Sequence, residues 1–73
     1  MDPQKRLDEL FDKILKEREG FVESYLDSLE RMGAKNMEAI GFFGMIADCD
    51  RHLQNLVLLG AAADRMPQPL PRN

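Results

Sequence analysis

The feature that most constrains this chain is an apolar stripe that recurs every three or four positions through the first half of the sequence. It consists of Leu7, Phe11, Ile14, Phe21, Val22, Tyr25, Leu29 and Met32, and Arg18 interrupts it between Ile14 and Phe21. Because an α-helix has about 3.6 residues per turn, this spacing places the stripe on one helix face. Asp2 followed by Pro3 is typical of a helix start, and Gly33 of a helix end. The sequence therefore predicts a first helix over about residues 3–32.

A second amphipathic helix is predicted after a short turn from Gly33 to Asn36. Asn36 is a favoured cap, and Pro67 prevents the helix from continuing, so its range is about 37–65. Its expected inner seam is Phe42, Ile46, Cys49, Leu53, Leu56, Gly60 and Ala63. A short connection makes two helices antiparallel neighbours. Residues 1–66 are therefore predicted to form an all-α antiparallel two-helix hairpin, followed by a proline-rich flexible tail over 67–73.

Gly20 leaves one alternative open for the first helix. Glycine costs up to about 1 kcal/mol inside a helix, so it could divide the segment and allow a three-helix monomer. The apolar stripe keeps its phase across this position. Continuity is therefore the favoured prediction.

Large apolar side chains on the second helix stand at adjacent positions, as in Phe42–Phe43 and 56–59. Adjacent residues point in different directions around a helix, so one neighbouring helix cannot cover them all. We expect two hairpins to pair as a homodimeric four-helix bundle. The residues predicted to form the partner or oligomer interface are Ile40, Phe42, Phe43, Ile46, Leu53, Leu56, Leu58 and Leu59.

The turn also predicts which residues face each other. With its centre between residues 34 and 35, position i lies opposite about 69 minus i. This places Arg18 near Asp50, where the two charges would form a polar layer that fixes the register. It also places Tyr25 opposite Gly44. The small residues Gly41, Gly44 and Ala47 are expected to leave room for close helix approach or for the Tyr25 ring.

Composition limits the compartment and the class of partner. The chain has a single cysteine, Cys49, which indicates a reducing compartment, and its polar start carries no apolar signal segment. Its longest uncharged apolar run, 56–63, is far shorter than the roughly 20 residues of a membrane span. The formal net charge is −3 and acidic residues offset the basic ones near the start, which disfavours nucleic acid. A cytoplasmic protein without a membrane partner is predicted.

The side chains that could support metal binding or catalysis lie together at residues 48–52. Asp48 and His52 are four residues apart on one helix face and could ligate a metal, although no second histidine supports this. Cys49 lies on the predicted seam, where a buried thiol acts as a small apolar side chain. No catalytic motif is present in the sequence, so no catalytic residue, metal or cofactor is predicted.

These patterns predict a non-enzymatic protein–protein interaction module, such as a small adaptor, chaperone or inhibitor, that acts as a homodimeric helical bundle and contacts another protein. One alternative is a nucleic-acid-binding hairpin dimer. The other is a metal- or cofactor-binding bundle around Asp48 and His52.

Overall fold

The computed structural model describes residues 2–70, which fold into an antiparallel helical hairpin. Its elements are α1 (Pro3–Met32), α2 (Met37–Leu58) and a short 3₁₀ helix (Ala63–Arg65). The hairpin is a rod of 46 × 19 × 16 Å. Since one helix with its side chains is about 10 Å wide, this cross-section holds two helices side by side and no further helical layer. The predicted all-α hairpin is confirmed.

The start and end of α1 lie where the sequence predicts them. The Asp2 carboxylate accepts a hydrogen bond from the Gln4 amide at 3.0 Å, and Pro3 occupies the first turn. Gly33 ends the helix with φ +83°, and its amide donates to the Leu29 carbonyl at 2.9 Å. The helix runs without a break through Gly20. The prediction of a continuous helix is therefore confirmed.

Asn36 links the turn to both helices. Its side-chain oxygen accepts from the Ala39 amide at 2.7 Å, which caps α2 as predicted. Its side-chain nitrogen donates to the Ser28 carbonyl at 3.4 Å and also to the Gly33 carbonyl. One side chain thus satisfies backbone groups from the end of α1 and the start of α2.

The prediction that the second helix reaches about residue 65 is wrong, because α2 ends at Leu58. Gly60 adopts φ +125°, and its amide donates to the Val57 carbonyl at 3.0 Å. The Ala61 amide donates to the Leu56 carbonyl at 2.9 Å, and both side chains belong to the same buried cluster. These paired bonds and the apolar contact define a Schellman motif, in which glycine closes a helix.

After Gly60 the chain turns back along the hairpin, and we call residues 61–70 the strap. Near its start the Gln4 side chain donates to the Gly60 carbonyl at 3.4 Å, and further on the Arg18 guanidinium donates to the Gln68 carbonyl at 3.1 Å. The strap therefore runs parallel to α1 from near its first turn to its middle. Flexibility of the tail predicted over 67–73 stays a prediction, and residues 71–73 lie outside the described residues.

The core lies at the strap end of the rod. Its buried members are Phe11, Leu53, Leu56 and Ala61, with Leu7, Ile14, Leu15, Val57 and Met66 packed against them. The strap contributes two of these side chains, so the largest cluster has three layers where the strap covers the helices. Neither helix in residues 2–70 has an apolar stretch long enough to cross a membrane.

Candidate interaction surface

The eight residues predicted at the interface separate into three groups. Ile46, Leu53 and Leu56 are buried within the chain itself. Their spacing along α2 places them on the side that faces α1, so they contribute to the intramolecular core.

The exposed group is the one that a partner can reach without opening the hairpin. Leu58 is 76% exposed, Leu59 70% and Ile40 55%. Met37, which the sequence argument did not include, is 83% exposed and is the most exposed large apolar residue of the described chain. It lies one helical turn before Ile40. This helical spacing could have placed Met37 on the same surface as Ile40 from the sequence alone.

By their positions along the two helices, these side chains fall into two sets at opposite ends of the rod. The turn-end cluster consists of Met32, Met37 and Ile40, and the strap-end cluster of Leu10, Leu58 and Leu59. Leu26 and Met45 are also exposed between the two ends. Water-exposed apolar side chains of this size, when they occur in groups, indicate surfaces that bind another protein.

Phe42 and Phe43 form the third group and are half-buried. The Phe43 ring meets Tyr25 edge to face, with ring centroids 5.6 Å apart and planes inclined by 61°. This contact shows that Tyr25 packs against Phe43, whereas the sequence placed it against Gly44. A Cβ atom at Gly41 or Gly44 would meet no other heavy atom within 4 Å. The expectation that these glycines allow close helix approach or hold the Tyr25 ring is therefore wrong.

The predicted polar layer between Arg18 and Asp50 is confirmed. The Arg18 Nε atom lies 2.6 Å from an Asp50 carboxylate oxygen, and the Arg18 residue is 7% exposed. The structure adds a third group, the Gln68 carbonyl, which the guanidinium also contacts. A buried charge is tolerated when it is paired and hydrogen-bonded. Arg18 thus joins both helices and the strap.

Arg65 provides the second polar attachment of the strap. Its guanidinium carbon lies 5.0 Å from the centroid of the Phe11 ring, in a cation–π arrangement. The same guanidinium forms an ion pair with Asp12 on the outer side of α1. Both charged side chains remain accessible to water, so the pair directs where the strap lies more than it stabilises the fold.

Cys49 lies on the inner seam, as predicted, and is buried. Burial raises the pKa of its thiol, and the nearby carboxylates of Glu17, Asp50 and Asp48 raise it further, whereas Arg18 lowers it. At neutral pH the thiol is therefore protonated. A protonated, buried thiol is a poor nucleophile and a poor metal ligand.

Asp48 and His52, the candidate metal pair, are both exposed on α2. The Asp48 carboxylate forms an ion pair with Arg51, one turn further along. Among residues 2–70, no group of three or more His, Cys, Asp or Glu side chains is placed to hold a metal ion. The pair thus offers two separate polar side chains on an open helix face.

Ser28 is a buried polar residue that the sequence argument did not single out. It is fully buried near the turn, and within the described residues its hydroxyl oxygen has no hydrogen-bond partner. Ala39, on α2, is also fully buried. Small side chains thus occupy the interior close to the turn, and the large ones there lie outside.

Comparisons of the chain with protein-family models, with curated proteins and with solved structures gave no significant match.

Proposed function

We propose that this protein is a cytoplasmic, non-enzymatic protein–protein interaction module that acts as a homodimeric helical bundle. In this role it serves as a small adaptor, chaperone or inhibitor of another protein. The proposal rests on one observation: among residues 2–70, eight large apolar side chains remain exposed after both helices and the strap have packed.

The shape of the molecule supports the same proposal. A rod with a 19 × 16 Å cross-section has room for only a thin core, and the main buried cluster is confined to one end. Domains of this size bury a smaller fraction of their surface than larger ones and often depend on association. Covering the turn-end cluster and the strap-end cluster would remove apolar area from water, at about 25 cal/mol per Å².

The decisive experiment measures mass by light scattering across the micromolar range for the full chain and for Leu58→Glu. Leu58 is exposed, so a charge there leaves the monomer fold intact and weakens any interface that covers the strap-end cluster. We expect the wild-type chain to be dimeric and the variant to dissociate at concentrations roughly tenfold higher.

The matched control is Asn55→Glu, which places the same charge on an exposed polar position of the same helix. It should leave the dimer unchanged. A wild-type chain that stays monomeric throughout this range and melts cooperatively would contradict the homodimer. Equal weakening by both variants would show that net charge, rather than apolar contact, governs association.

A further inference from the structure

We infer that the strap of one copy occupies the groove of a second copy, so that the homodimer forms by strap exchange. This inference rests on the homodimer proposed above and adds the segment that each copy contributes to the other. The groove, which we call the strap groove, is formed by Phe11, Asp12, Arg18, Leu53 and Leu56.

In the hairpin, the strap of the same chain occupies the strap groove, and its contacts show what chemistry fits there. Met66 packs against the buried cluster, Arg65 meets Phe11 and Asp12, and the Gln68 carbonyl accepts from Arg18. A second copy carries an identical strap, so each of these contacts can form again between two chains. Domain swapping of this kind is a common low-cost route to a symmetric dimer.

The segment that joins α2 to the strap can adopt a second conformation. Residues 59–65 read Leu-Gly-Ala-Ala-Ala-Asp-Arg, in which three alanines favour helix and no proline interrupts it. In the hairpin these residues form a turn and a 3₁₀ helix. If residues 59–62 became helical, α2 would lengthen by about one turn and carry residues 63–70 of the strap, including Arg65, away from their own groove.

Gly60 controls which of the two conformations forms. The turn requires its φ of +125°, which only glycine adopts without strain. A Cβ atom at this position would lie 3.6 Å from the Leu7 side chain, an ordinary contact, so space does not forbid alanine. Alanine therefore disfavours the turn through its backbone angle alone and favours the extended helix.

We call Gly60 the hinge, and burial of the exposed side chains that precede it would stabilise association with a second copy. Leu58 and Leu59 directly precede Gly60 and are 76% and 70% exposed. In an exchanged dimer the two hinges cross between the hairpins, which places these leucines where the copies meet. The strap-end cluster then becomes part of the same interface as the exchanged strap.

Charge reversal across the Arg65–Asp12 pair tests the exchange. Asp12→Arg alone and Arg65→Asp alone each place like charges in the strap groove. When the two variants are mixed, exchange restores opposite charges at both grooves of a heterodimer. We expect native mass spectrometry, with one variant isotopically labelled, to show the heterodimer-to-homodimer ratio raised roughly tenfold above the statistical value.

The double variant, with both changes in one chain, is the matched control and should behave as wild type because its pair is restored in every arrangement. A statistical ratio, in a mixture that is dimeric, would overturn strap exchange and leave the homodimer standing. A monomeric wild-type chain would overturn both. These outcomes separate the failure of this inference from that of the proposed function.

Gly60→Ala gives an independent test that does not alter charge. It should increase helical circular dichroism and shift the monomer–dimer midpoint to a concentration roughly tenfold lower. Gly20→Ala, in an exposed part of α1 with open space around it, controls for helix propensity and should leave the midpoint unchanged. A Gly60→Ala protein that is no more dimeric than wild type would overturn the role assigned to the hinge.

Discussion

The two ends of the hairpin differ in the size of the side chains that they bury between the helices. At the strap end, large side chains such as Phe11 and Leu53 are fully buried, and Ala61 and Met66 of the strap pack with them. At the turn end, the fully buried residues are the small Ser28 and Ala39, and the large residues of the turn-end cluster lie outside. The same two helices form both ends, but the strap adds side chains to the core at only one of them.

This contrast shows what a third layer does for a pair of helices. Two helices share one narrow contact, and residues on the flanks of that contact stay half in water. The strap covers one flank from the first turn of α1 to Arg18 and goes no further within the described residues than Leu70. Beyond that point, the described chain leaves the large residues of the turn-end cluster in water, and the proposed partner would cover them.

The largest effect expected from this contrast comes from the same substitution at each end. Phe11→Ala should lower the free energy of unfolding by about 3–5 kcal/mol, because the ring is fully buried beneath the strap. Phe43→Ala, at the turn end, should cost about 1–2 kcal/mol, because the ring is only half-buried and loses mainly its contact with Tyr25. Urea denaturation at one fixed protein concentration measures both. Equal losses would refute the contrast between the two ends.

The polar layer marks the boundary between the two ends and should give the next largest effect. Asp50→Ala leaves the Arg18 guanidinium buried without its carboxylate, and should cost about 2 kcal/mol of unfolding free energy. Glu38→Ala, which removes an exposed ion pair with Arg31 at the turn, should cost less than about 0.5 kcal/mol. If chemical denaturation ranks the two variants the other way, the Arg18 layer does not hold the hairpin and strap together.

The smallest effect concerns the turn end alone and has the opposite sign. Ser28→Ala should raise the free energy of unfolding by about 1 kcal/mol, because it removes a buried hydroxyl that has no partner in the described structure. Ser24→Ala, at a half-buried position of the same helix, corrects for the higher helix propensity of alanine. Thermal melts of the two variants provide the comparison. A Ser28→Ala protein less stable than wild type would mean that this hydroxyl is hydrogen-bonded after all.

The sequence was sufficient for α1, the turn and the polar layer because each depends on local signals. Asp2, Gly33 and Asn36 act on amides and carbonyls within a few residues of themselves. The contact between Arg18 and Asp50 then follows from the length of the turn and the regular helix rise. Once the two helices are antiparallel, that register leaves little freedom.

The end of α2 was missed because two signals compete there. Three alanines after Gly60 favour helix, whereas Gly60 followed by an apolar residue favours a Schellman motif. The balance is settled by Ala61 packing on Leu56 and by the strap contacts with α1. The strap contacts join residues far apart in the sequence, such as Arg18 and Gln68, so periodicity along α2 carries no information about them.

The candidate surface could be predicted only in part for the same reason. Helical spacing separates Ile40 and Leu58 from Ile46 and Leu53, and the structure does place the first pair outside and the second pair inside. The strap could not be foreseen without the early end of α2. Whether the exposed residues bind a second copy remains the proposal that light scattering tests.

The route of the strap determines where a label or fusion domain attached to each end of the chain would lie. The first described residue of the chain, Asp2, caps α1 at one tip of the rod. Gln68, near the end of the strap, is instead hydrogen-bonded to Arg18 midway along the rod. A fluorophore or fusion domain joined before α1 would extend the long axis, but one joined after the strap would project sideways from the flank. Labels on the two ends would therefore report different distances, and only the second would follow movement of the strap directly.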